Sequence, residues 1–357
     1  MTHLPALDGL RALAALWVVA FHATAFTGVA PPVIRHGYLG VDLFFVLSGF
    51  VLAHVYAPVF ARDGLAFYAR YLCRRVARLW PVWLVVLALF ALKAEIGRLS
   101  GLGGGGLRVA DDPGLWSLYA LLMQSWGWAD AERINPPGWS LSYEWAASLL
   151  LPVALAVAVR LRSVLACLAL ALASLAAHAI YTHAHGLPSL HTAAAHGGAR
   201  VAAEFLAGVF LWRAWRQVGG AAASGGVLAG ICAALAIVTM IDVAPTLWVD
   251  HLLIVAFAGI LVGVAKGRGV LTNVLSSRAS RAIGEASYAL YVVHWFVFEC
   301  LWWAFDRLGL AVGSAVGWLF FAALIVLSLV AAFALHVAIE RPARAALRRL
   351  AEGAPAR

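Results

Sequence analysis

Residues 164–183 read VLACLALALASLAAHAIYTH, twenty consecutive positions without an aspartate, glutamate, lysine or arginine. About 20 apolar residues in a helix cross the roughly 30 Å hydrocarbon core of a bilayer, so this stretch predicts a transmembrane helix. The whole 357-residue chain has the same character, with 64% hydrophobic and 12% charged residues. Soluble domains carry about 25% charged residues. The composition therefore argues against a soluble enzyme and predicts an all-α polytopic membrane protein.

Apolar stretches long enough to span a bilayer occur at about ten places. One further apolar segment, Leu115–Trp126, has only about a dozen residues and predicts a re-entrant or interfacial helix. The ten predicted spans are Leu10–Phe26, Gly37–Tyr56, Leu79–Ile96, Trp139–Val159, Val164–His183, Arg200–Trp215, Val227–Ile241, Leu247–Ala265, Ala286–Phe305 and Ala311–Ile339.

The basic residues predict the orientation of these helices. Loops rich in lysine and arginine stay in the cytoplasm. With ten helices and a cytoplasmic amino terminus, 19 of the 26 lysines and arginines fall on the cytoplasmic side and 7 on the outer side. We therefore expect both termini in the cytoplasm, and we interpret the net charge of +9 as a signal of topology rather than of nucleic-acid binding.

The first span carries two ionisable residues on one face. Arg11 and His22 are eleven residues apart, which is three helical turns plus about 20°, and about 16 Å along the axis. Ionisable groups inside a membrane are costly and tend to be functional or tightly paired. The alternative is a snorkelling arginine and a structural histidine.

Other ionisable residues lie in or beside later spans. Asp42 lies near the predicted outer end of the second span, where it can pair with a cation. We expect Glu144, one turn into the fourth span at the predicted outer surface, to bind a sugar hydroxyl, stabilise His22 or complement the helix dipole. The i, i+4 spacing of Arg200 and Glu204 predicts an ion pair. His294 lies in mid-span without a partner in its own segment.

Three arginines cluster at the predicted cytoplasmic start of the third span. Arg75 and Arg78 lie on one side of the helix, and Arg74 precedes Arg78 by four residues. Converging guanidinium groups suit phosphate binding. An ordinary basic anchor of the span is the alternative interpretation.

No metal or redox site is predicted. The four cysteines are scattered without a CxxC pair. Four histidines close together in sequence lack a cysteine or carboxylate at ligand spacing. They are His183, His185, His191 and His196.

Several segments together resemble the acyltransferase 3 family of integral membrane acyltransferases, in the order that the family shows and across almost the whole chain. The matching segments are Leu7–Arg11 with the Arg11-x10-His22 pattern, Gly40–Phe50 (GVDLFFVLSGF), Arg75-x-x-Arg78 followed by Pro81, Trp139–Glu144 (WSLSYE), Arg200–Gly208, Tyr288-x-x-Tyr291-x-x-His294, and Ile339–Pro342 (IERP).

The resemblance implies transfer of an acyl group, usually acetyl, from cytoplasmic acyl-CoA to an extracytoplasmic hydroxyl, commonly on a carbohydrate. It implies a multi-pass protein of the bacterial inner membrane. Some family members carry an additional C-terminal esterase-like domain, whereas 15 residues follow Pro342 here. We therefore expect a stand-alone form, with a membrane domain at 1–342 and a short basic cytoplasmic tail at 343–357.

The resemblance also suggests roles for the candidate residues. His22 is the candidate general base or acyl acceptor, with Asp42 or Glu144 orienting it and Arg11 supporting the oxyanion or the donor. The expected partners are acyl-CoA, a carbohydrate acceptor and the lipid bilayer, without nucleic acid or metal. The candidate donor residues are Arg11, Arg74, Arg75 and Arg78, and the candidate acceptor residues are Trp139, Ser140, Tyr143, Glu144, Tyr288 and His294.

Two other functions fit a helical membrane protein with buried charges. The first is a transporter or flippase for a glycan or lipid-linked unit, although the sequence shows no internal repeat. The second is a non-catalytic scaffold or sensor in which His22 and His294 only satisfy hydrogen bonds of the core.

Overall fold

The computed structural model describes residues 3–101, 106–128, 132–192, 196–218, 222–308 and 314–352, and all regular structure in these ranges is helical. Short 3-10 turns lie at Gly37–Leu39, Gly64–Phe67 and Leu190–Thr192, and a π-helical turn lies at His336–Glu340. The α-helices are α1 (Pro5–Thr27), α2 (Pro32–Arg35), α3 (Gly40–Asp63), α4 (Tyr68–Ser100), α5 (Pro113–Ala120), α6 (Gly138–Ala158), α7 (Val164–Ala184), α8 (Gly197–Gln217), α9 (Ala222–Asp242), α10 (Leu247–Ala265), α11 (Val270–Leu275), α12 (Arg278–Arg307), α13 (Ser314–Leu335) and α14 (Arg341–Glu352).

The helices confirm the predicted fold class. Within the described ranges, ten helices have 19 or more residues, one for each predicted span. Eight helical stretches are long and apolar enough to cross a membrane, and one of these, Gly37–Ser100, contains both α3 and α4. The chain is therefore an all-α polytopic membrane protein. The exact number of crossings and the side on which the termini lie stay predictions.

The chain divides into two compact units. The first unit comprises Met1–Phe21, Ala30–Leu65 and Ala146–Ser287. The second comprises His22–Val29, Ala66–Trp145 and Tyr288–Arg357, of which residues 353–357 of the predicted tail lie outside the described residues.

In the first unit, α3 and α8 are in backbone contact through glycines. A Cβ atom on Gly49 would lie 2.0 Å from the carbonyl oxygen of Phe205. A Cβ atom on Gly208 would lie 2.1 Å from the carbonyl oxygen of Val46. Small residues at such crossings allow close helix packing inside a membrane, where apolar side chains gain little by contact with each other.

In the second unit, the segment between α4 and α6 folds back along α4. The indole nitrogen of Trp80 donates to the carbonyl of Ala120 at 3.0 Å, and that of Trp83 donates to the carbonyl of Tyr119 at 2.6 Å. Gly138, the first residue of α6, packs against the Trp83 ring. The helix α5 has eight residues and a buried face, which confirms that Leu115–Trp126 forms no spanning helix. Consequently α6 begins beside the middle of α4.

Candidate active site

A histidine pair lies in the second unit. Nδ1 of His22, on α1, is 3.0 Å from Nε2 of His294, on α12, and the two rings stack with their centroids 5.1 Å apart. His294 is fully buried, whereas His22 is half-buried. The sequence identified both residues but not their contact, because 272 residues separate them. The expectation that His294 binds the acceptor stays a prediction, and the structure adds that its Nε2 contacts His22.

The hydrogen bonds of the pair decide which nitrogen carries each proton. Nδ1 of His294 lies 2.7 Å from the carbonyl oxygen of Tyr291, which can only accept. In a neutral ring, a protonated Nδ1 leaves Nε2 as an acceptor. Nε2 of His294 therefore accepts from Nδ1–H of His22. The lone pair of His22 is then on Nε2, the nitrogen that faces away from His294.

Aromatic rings surround this pair on the side of α12. Trp295 meets the His22 ring edge-on at 5.5 Å, and Phe26 packs against Trp295 at the same distance. The Trp295 indole nitrogen donates to Glu299 at 2.9 Å, and Lys93 of α4 donates to the other oxygen of Glu299 at 2.5 Å. Trp295 thus connects the His22 ring to the ion pair of Lys93 and Glu299, which the sequence analysis missed.

The helix α12 carries the site residues in a definite order along its axis. Tyr288 donates to the carbonyl of Leu79 on α4. Tyr291 is bonded to the hydroxyl of Ser140 at 2.7 Å. His294 is about 9 Å along the axis from Tyr288, six residues at 1.5 Å each, and Glu299 lies about 7.5 Å further. Along α12, the His22–His294 pair therefore lies between Tyr288, whose ring contacts Arg78, and Glu299, which is paired with Lys93.

The expected acceptor residues at the start of α6 differ in exposure. Ser140 is buried, and its hydroxyl also donates to the carbonyl of Pro137 at 3.1 Å, so it ties α6 to α12. Trp139 and Tyr143 are half-buried, with ring centroids 6.4 Å apart. Of the three, Trp139 and Tyr143 keep surface that a ligand can touch.

Arg75 and Glu144 form an ion pair of 2.8 Å, and the Arg75 side chain is 9% exposed. The predicted placement of Glu144 and Arg75 at opposite faces of the membrane is therefore wrong, and the side on which the pair lies stays a prediction. The cause is the segment that contains α5, which folds back along α4 and starts α6 beside the middle of that helix. In the structure, the Glu144 carboxylate binds Arg75 and His294 contacts Nδ1 of His22, while the role expected for Asp42 or Glu144 in orienting His22 stays a prediction.

Arg78 is bound by a residue from the far end of the chain. It donates to Glu340, the last residue of the π-helical turn, and its guanidinium lies over the Tyr288 ring at 5.3 Å. His336 and Arg344 also contact the Glu340 carboxylate, at 2.9 and 3.5 Å. The guanidinium of Arg74, one turn earlier, lies over a different ring, that of Phe67, at 5.3 Å. Arg75 and Arg78 thus contact different carboxylates, those of Glu144 and Glu340, and whether the three arginines bind the donor stays a prediction.

The first unit holds a second group of buried charges. Asp42 accepts from Nε and Nη2 of Arg200 at 2.7 and 2.5 Å, which confirms that Asp42 pairs with a cation. The predicted ion pair between Arg200 and Glu204 is wrong, because Glu204 lies instead against His178, at 3.7 Å. Arg11 lies half-buried on α1 in this unit.

A buried carboxylate in the same unit was not recognised from the sequence. Asp250 accepts from the Tyr38 hydroxyl at 2.5 Å and from the backbone N–H of Leu190 at 2.7 Å. The same Leu190 accepts from Arg200 at 3.0 Å. Asp250 thus ties α10 to the segments that precede α3 and α8, and Arg200 ties α8 to the second of these segments. We interpret this as a structural role for Asp250. An aspartate one turn into the apolar span Leu247–Ala265 was the available signal.

A family model described as "Acyltransferase domain" (Acyl_transf_3) matches residues 4–337 of the chain. "Protein 2 in picA locus" of Rhizobium radiobacter is 47% identical over 85 residues, which are 24% of this chain and 42% of that protein. The "Putative peptidoglycan O-acetyltransferase YrhL" of Bacillus subtilis is 37% identical over 79 residues, 22% of this chain and 12% of that protein. A protein of Staphylococcus aureus named "Putative O-acetyltransferase" is 35% identical over 89 residues, 24% of this chain and 13% of that protein.

The matched segments therefore cover less than half the length of each of these three relatives. No solved structure matches the chain.

Proposed function

This chain belongs to the acyltransferase 3 family, and from that premise we propose that it is a membrane O-acyltransferase that moves an acetyl group from acetyl-CoA to a hydroxyl group. The proposed acceptor is the carbohydrate of a cell-surface or exported polysaccharide or glycolipid. The names of the relatives in Bacillus and Staphylococcus support O-acetylation as the reaction. The proposed location is the cytoplasmic membrane of a bacterium, with the donor reaching the protein from the cytoplasm.

The observation that carries this proposal is the bond between His22 and His294. Transfer of an acyl group to a hydroxyl needs a base at the hydroxyl proton, and a neutral histidine with a fixed tautomer is the usual base. The carbonyl of Tyr291 and Nε2 of His294 fix that tautomer. The proposed reaction uses Nε2 of His22, while His294 holds its other nitrogen.

In the proposed direct reaction, Nε2 of His22 takes the proton of the acceptor hydroxyl as the hydroxyl oxygen attacks the thioester carbonyl. A C–O bond forms and the C–S bond breaks. The CoA thiolate leaves and takes the proton from the His22 imidazolium, so that no proton is gained or lost overall. His294 accepts from Nδ1–H throughout and stabilises the imidazolium.

The alternative route passes through an acyl-imidazole. Nε2 of His22 attacks the thioester itself, the thiolate leaves, and the acceptor oxygen then takes the acyl group while its proton passes to the thiolate. Incubation with acetyl-CoA labelled in the acetyl group, without acceptor, separates the two routes. A label on the protein that hydroxylamine releases supports the acyl-enzyme, whereas an unlabelled protein supports direct attack.

The order of residues along α12 supports a donor on one side of His22 and an acceptor on the other. On one side, Tyr288 lies beside Arg78, whose positive charge attracts the phosphate groups of the proposed donor. The rings of Trp295 and Phe26, with Glu299 beyond them, offer a stacking surface and a hydrogen-bonding carboxylate of the kind that sugars contact.

The test uses purified protein in nanodiscs with labelled acetyl-CoA and a panel of oligosaccharide acceptors. Wild-type protein is expected to place label on an acceptor, and His22→Ala is expected to abolish transfer. His185→Ala, an exposed histidine at the end of α7, is the matched control and keeps wild-type activity. Transfer by the folded His22→Ala variant at the wild-type rate contradicts the proposal.

A further inference from the structure

The His22 ring is contacted by two consecutive residues of α12. Nε2 of His294 lies 3.0 Å from its Nδ1, and the two rings are nearly parallel, at 16°. Trp295 contacts the same ring at 86°, with the ring centroids 5.5 Å apart. Consecutive residues of a helix point about 100° apart, so the two side chains approach His22 from different directions. His22 is therefore contacted at a nitrogen by His294 and at the ring by Trp295.

The Trp295 contact opposes a motion that the bond to His294 permits. A hydrogen bond between two ring nitrogens resists changes in its distance and angle more than it resists rotation of either ring about the N–H···N axis. A second ring at nearly a right angle to the first stands across that rotation. Because a displacement of about 1 Å in an active site can lower a rate about a hundredfold, the direction of Nε2 of His22 matters to the proposed reaction.

Trp295 is itself fixed at its indole nitrogen. Nε1–H donates to Oε1 of Glu299 at 2.9 Å. Glu299 lies four residues further along α12, where two side chains meet on one face of a helix. The other oxygen of the carboxylate, Oε2, accepts from Nζ of Lys93 at 2.5 Å. Each oxygen of Glu299 thus has its own donor, Trp295 on one and Lys93 on the other.

Lys93 holds the Glu299 carboxylate from a different helix. It lies on α4, where Phe90, one turn earlier, packs against Phe296 of α12 with the ring centroids 5.2 Å apart. The Lys93 and Glu299 side chains are 17% and 31% exposed. Ionisable groups in apolar helices are costly and tend to be functional or tightly paired. The ion pair therefore joins α4 to α12 at the carboxylate that accepts from Trp295.

We propose that Glu299 is a positioning residue: it fixes the indole of Trp295, and through that ring it holds His22 in the orientation that acyl transfer needs. This inference rests on the proposed function, in which His22 reacts through Nε2. The role acts through Trp295 and is distinct from a direct contact between Glu299 and a sugar. The kinetic constants separate the two roles.

The experiment measures kcat and both KM values in nanodiscs, with labelled acetyl-CoA and the oligosaccharide to which the wild-type protein transfers label most rapidly. Glu299→Met removes the acceptor of the indole N–H at nearly the same side-chain length. We expect kcat to fall about tenfold or more and both KM values to stay within about twofold. Glu299→Gln keeps an oxygen for the indole and is expected to recover part of kcat.

Glu95→Gln is the matched control. Glu95 lies on α4 in an exposed ion pair with Arg98, at 2.8 Å, so the variant also removes the charge of a paired carboxylate in the same unit. It is expected to keep the wild-type kcat.

A double-mutant cycle shows whether Glu299 acts through Trp295. Trp295→Phe keeps an aromatic ring at this position and removes the N–H donor, and it is also expected to lower kcat about tenfold. If Glu299 acts through the indole, adding Glu299→Met to Trp295→Phe lowers kcat by less than about twofold more, since the bond is already absent. Two independent residues would multiply their effects to about a hundredfold, and that result contradicts the proposal.

The outcomes separate this inference from the function on which it rests. Wild-type protein that transfers no acetyl group contradicts the proposed function and this inference together. Wild-type transfer with an unchanged kcat in Glu299→Met contradicts this inference alone, and so does an acceptor KM that rises while kcat stays, as a direct sugar contact predicts. A lower melting temperature with an unchanged kcat assigns Glu299 to the packing of α4 against α12 and also overturns the proposal. If Glu299→Met does not fold, Trp295→Phe decides, and an unchanged kcat in that variant overturns the proposal.

Discussion

The Asp42 carboxylate and the Arg200 guanidinium form a two-bond ion pair between α3 and α8, with both side chains almost completely buried. Such a pair is costly to break, because the remaining partner is left as an uncompensated charge inside the protein. Asp42 lies seven residues from Gly49 on α3, about 10 Å along the axis, so the ion pair and the glycine contacts join the same two helices at two different levels.

We therefore expect Asp42→Asn to destabilise the protein by about 3–5 kcal/mol, since Arg200 keeps its charge without a counter-charge. The double variant Asp42→Leu with Arg200→Met is expected to lose less than Asp42→Asn alone. Thermal unfolding in detergent measures both. If Asp42→Asn is as stable as the wild type, the Asp42–Arg200 ion pair does not stabilise the packing of α3 against α8.

The histidine pair gives the second prediction. His294→Ala removes the acceptor for Nδ1–H of His22, so His22 loses its fixed tautomer, and kcat is expected to fall about a hundredfold or more. The KM for acetyl-CoA is expected to stay near the wild-type value. Steady-state kinetics with a labelled donor provide both constants.

The same experiment decides between the positioning role and the expectation from the sequence that His294 binds the acceptor. An acceptor-binding residue raises the acceptor KM while kcat stays within about twofold. That result for His294→Ala would contradict the positioning role.

Glu144 gives the third prediction. Glu144→Gln leaves the buried Arg75 without its counter-charge, and we expect a loss of about 1–3 kcal/mol of stability. Glu144 contacts Arg75, which is one of the candidate donor residues. We therefore expect any change in activity to appear in the KM for acetyl-CoA rather than in the KM for the acceptor. An acceptor KM that rises alone would support instead the sugar contact expected from the sequence.

The sequence predicted the helices well because the signal for a span is local. Each of the ten apolar stretches is a property of about 20 consecutive residues, and the bounds of Leu247–Ala265 agree to the residue. The helices α4 and α12 begin 11 and 8 residues before the predicted spans, because their polar first turns carry no hydropathy signal, and residues 311–313 of the last predicted span lie outside the described residues. The segment 115–126 was also recognised as too short to span. Its path back along α4 was not, because hydropathy gives the length of a segment and not the place where it lies.

The site could be predicted only in part, since its contacts join distant segments. His22, Arg78 and Glu144 stood out as ionisable residues in an apolar chain, but their partners are His294, Glu340 and Arg75, at separations from 69 to 272 residues. Helical spacing detects neighbours three or four residues apart, and for Arg200 it indicated Glu204 where the fold supplies Asp42. Ion pairs between helices depend on packing, which a single sequence does not contain.

The crossing of α3 and α8 gives the last prediction. A methyl group on Gly49 would overlap the carbonyl oxygen of Phe205, which belongs to the backbone and moves only with the whole helix, so Gly49→Ala is expected to cost about 1–3 kcal/mol or more. Gly230→Ala in α9 is the matched control, because a Cβ atom there has no neighbour within 4 Å. Alanine is the better helix former by about 1 kcal/mol, so Gly230→Ala should be neutral or slightly stabilising in a thermal melt. Equal melting temperatures for the two variants would mean that α3 and α8 do not need glycine to meet, and that the Asp42–Arg200 pair forms without that close approach.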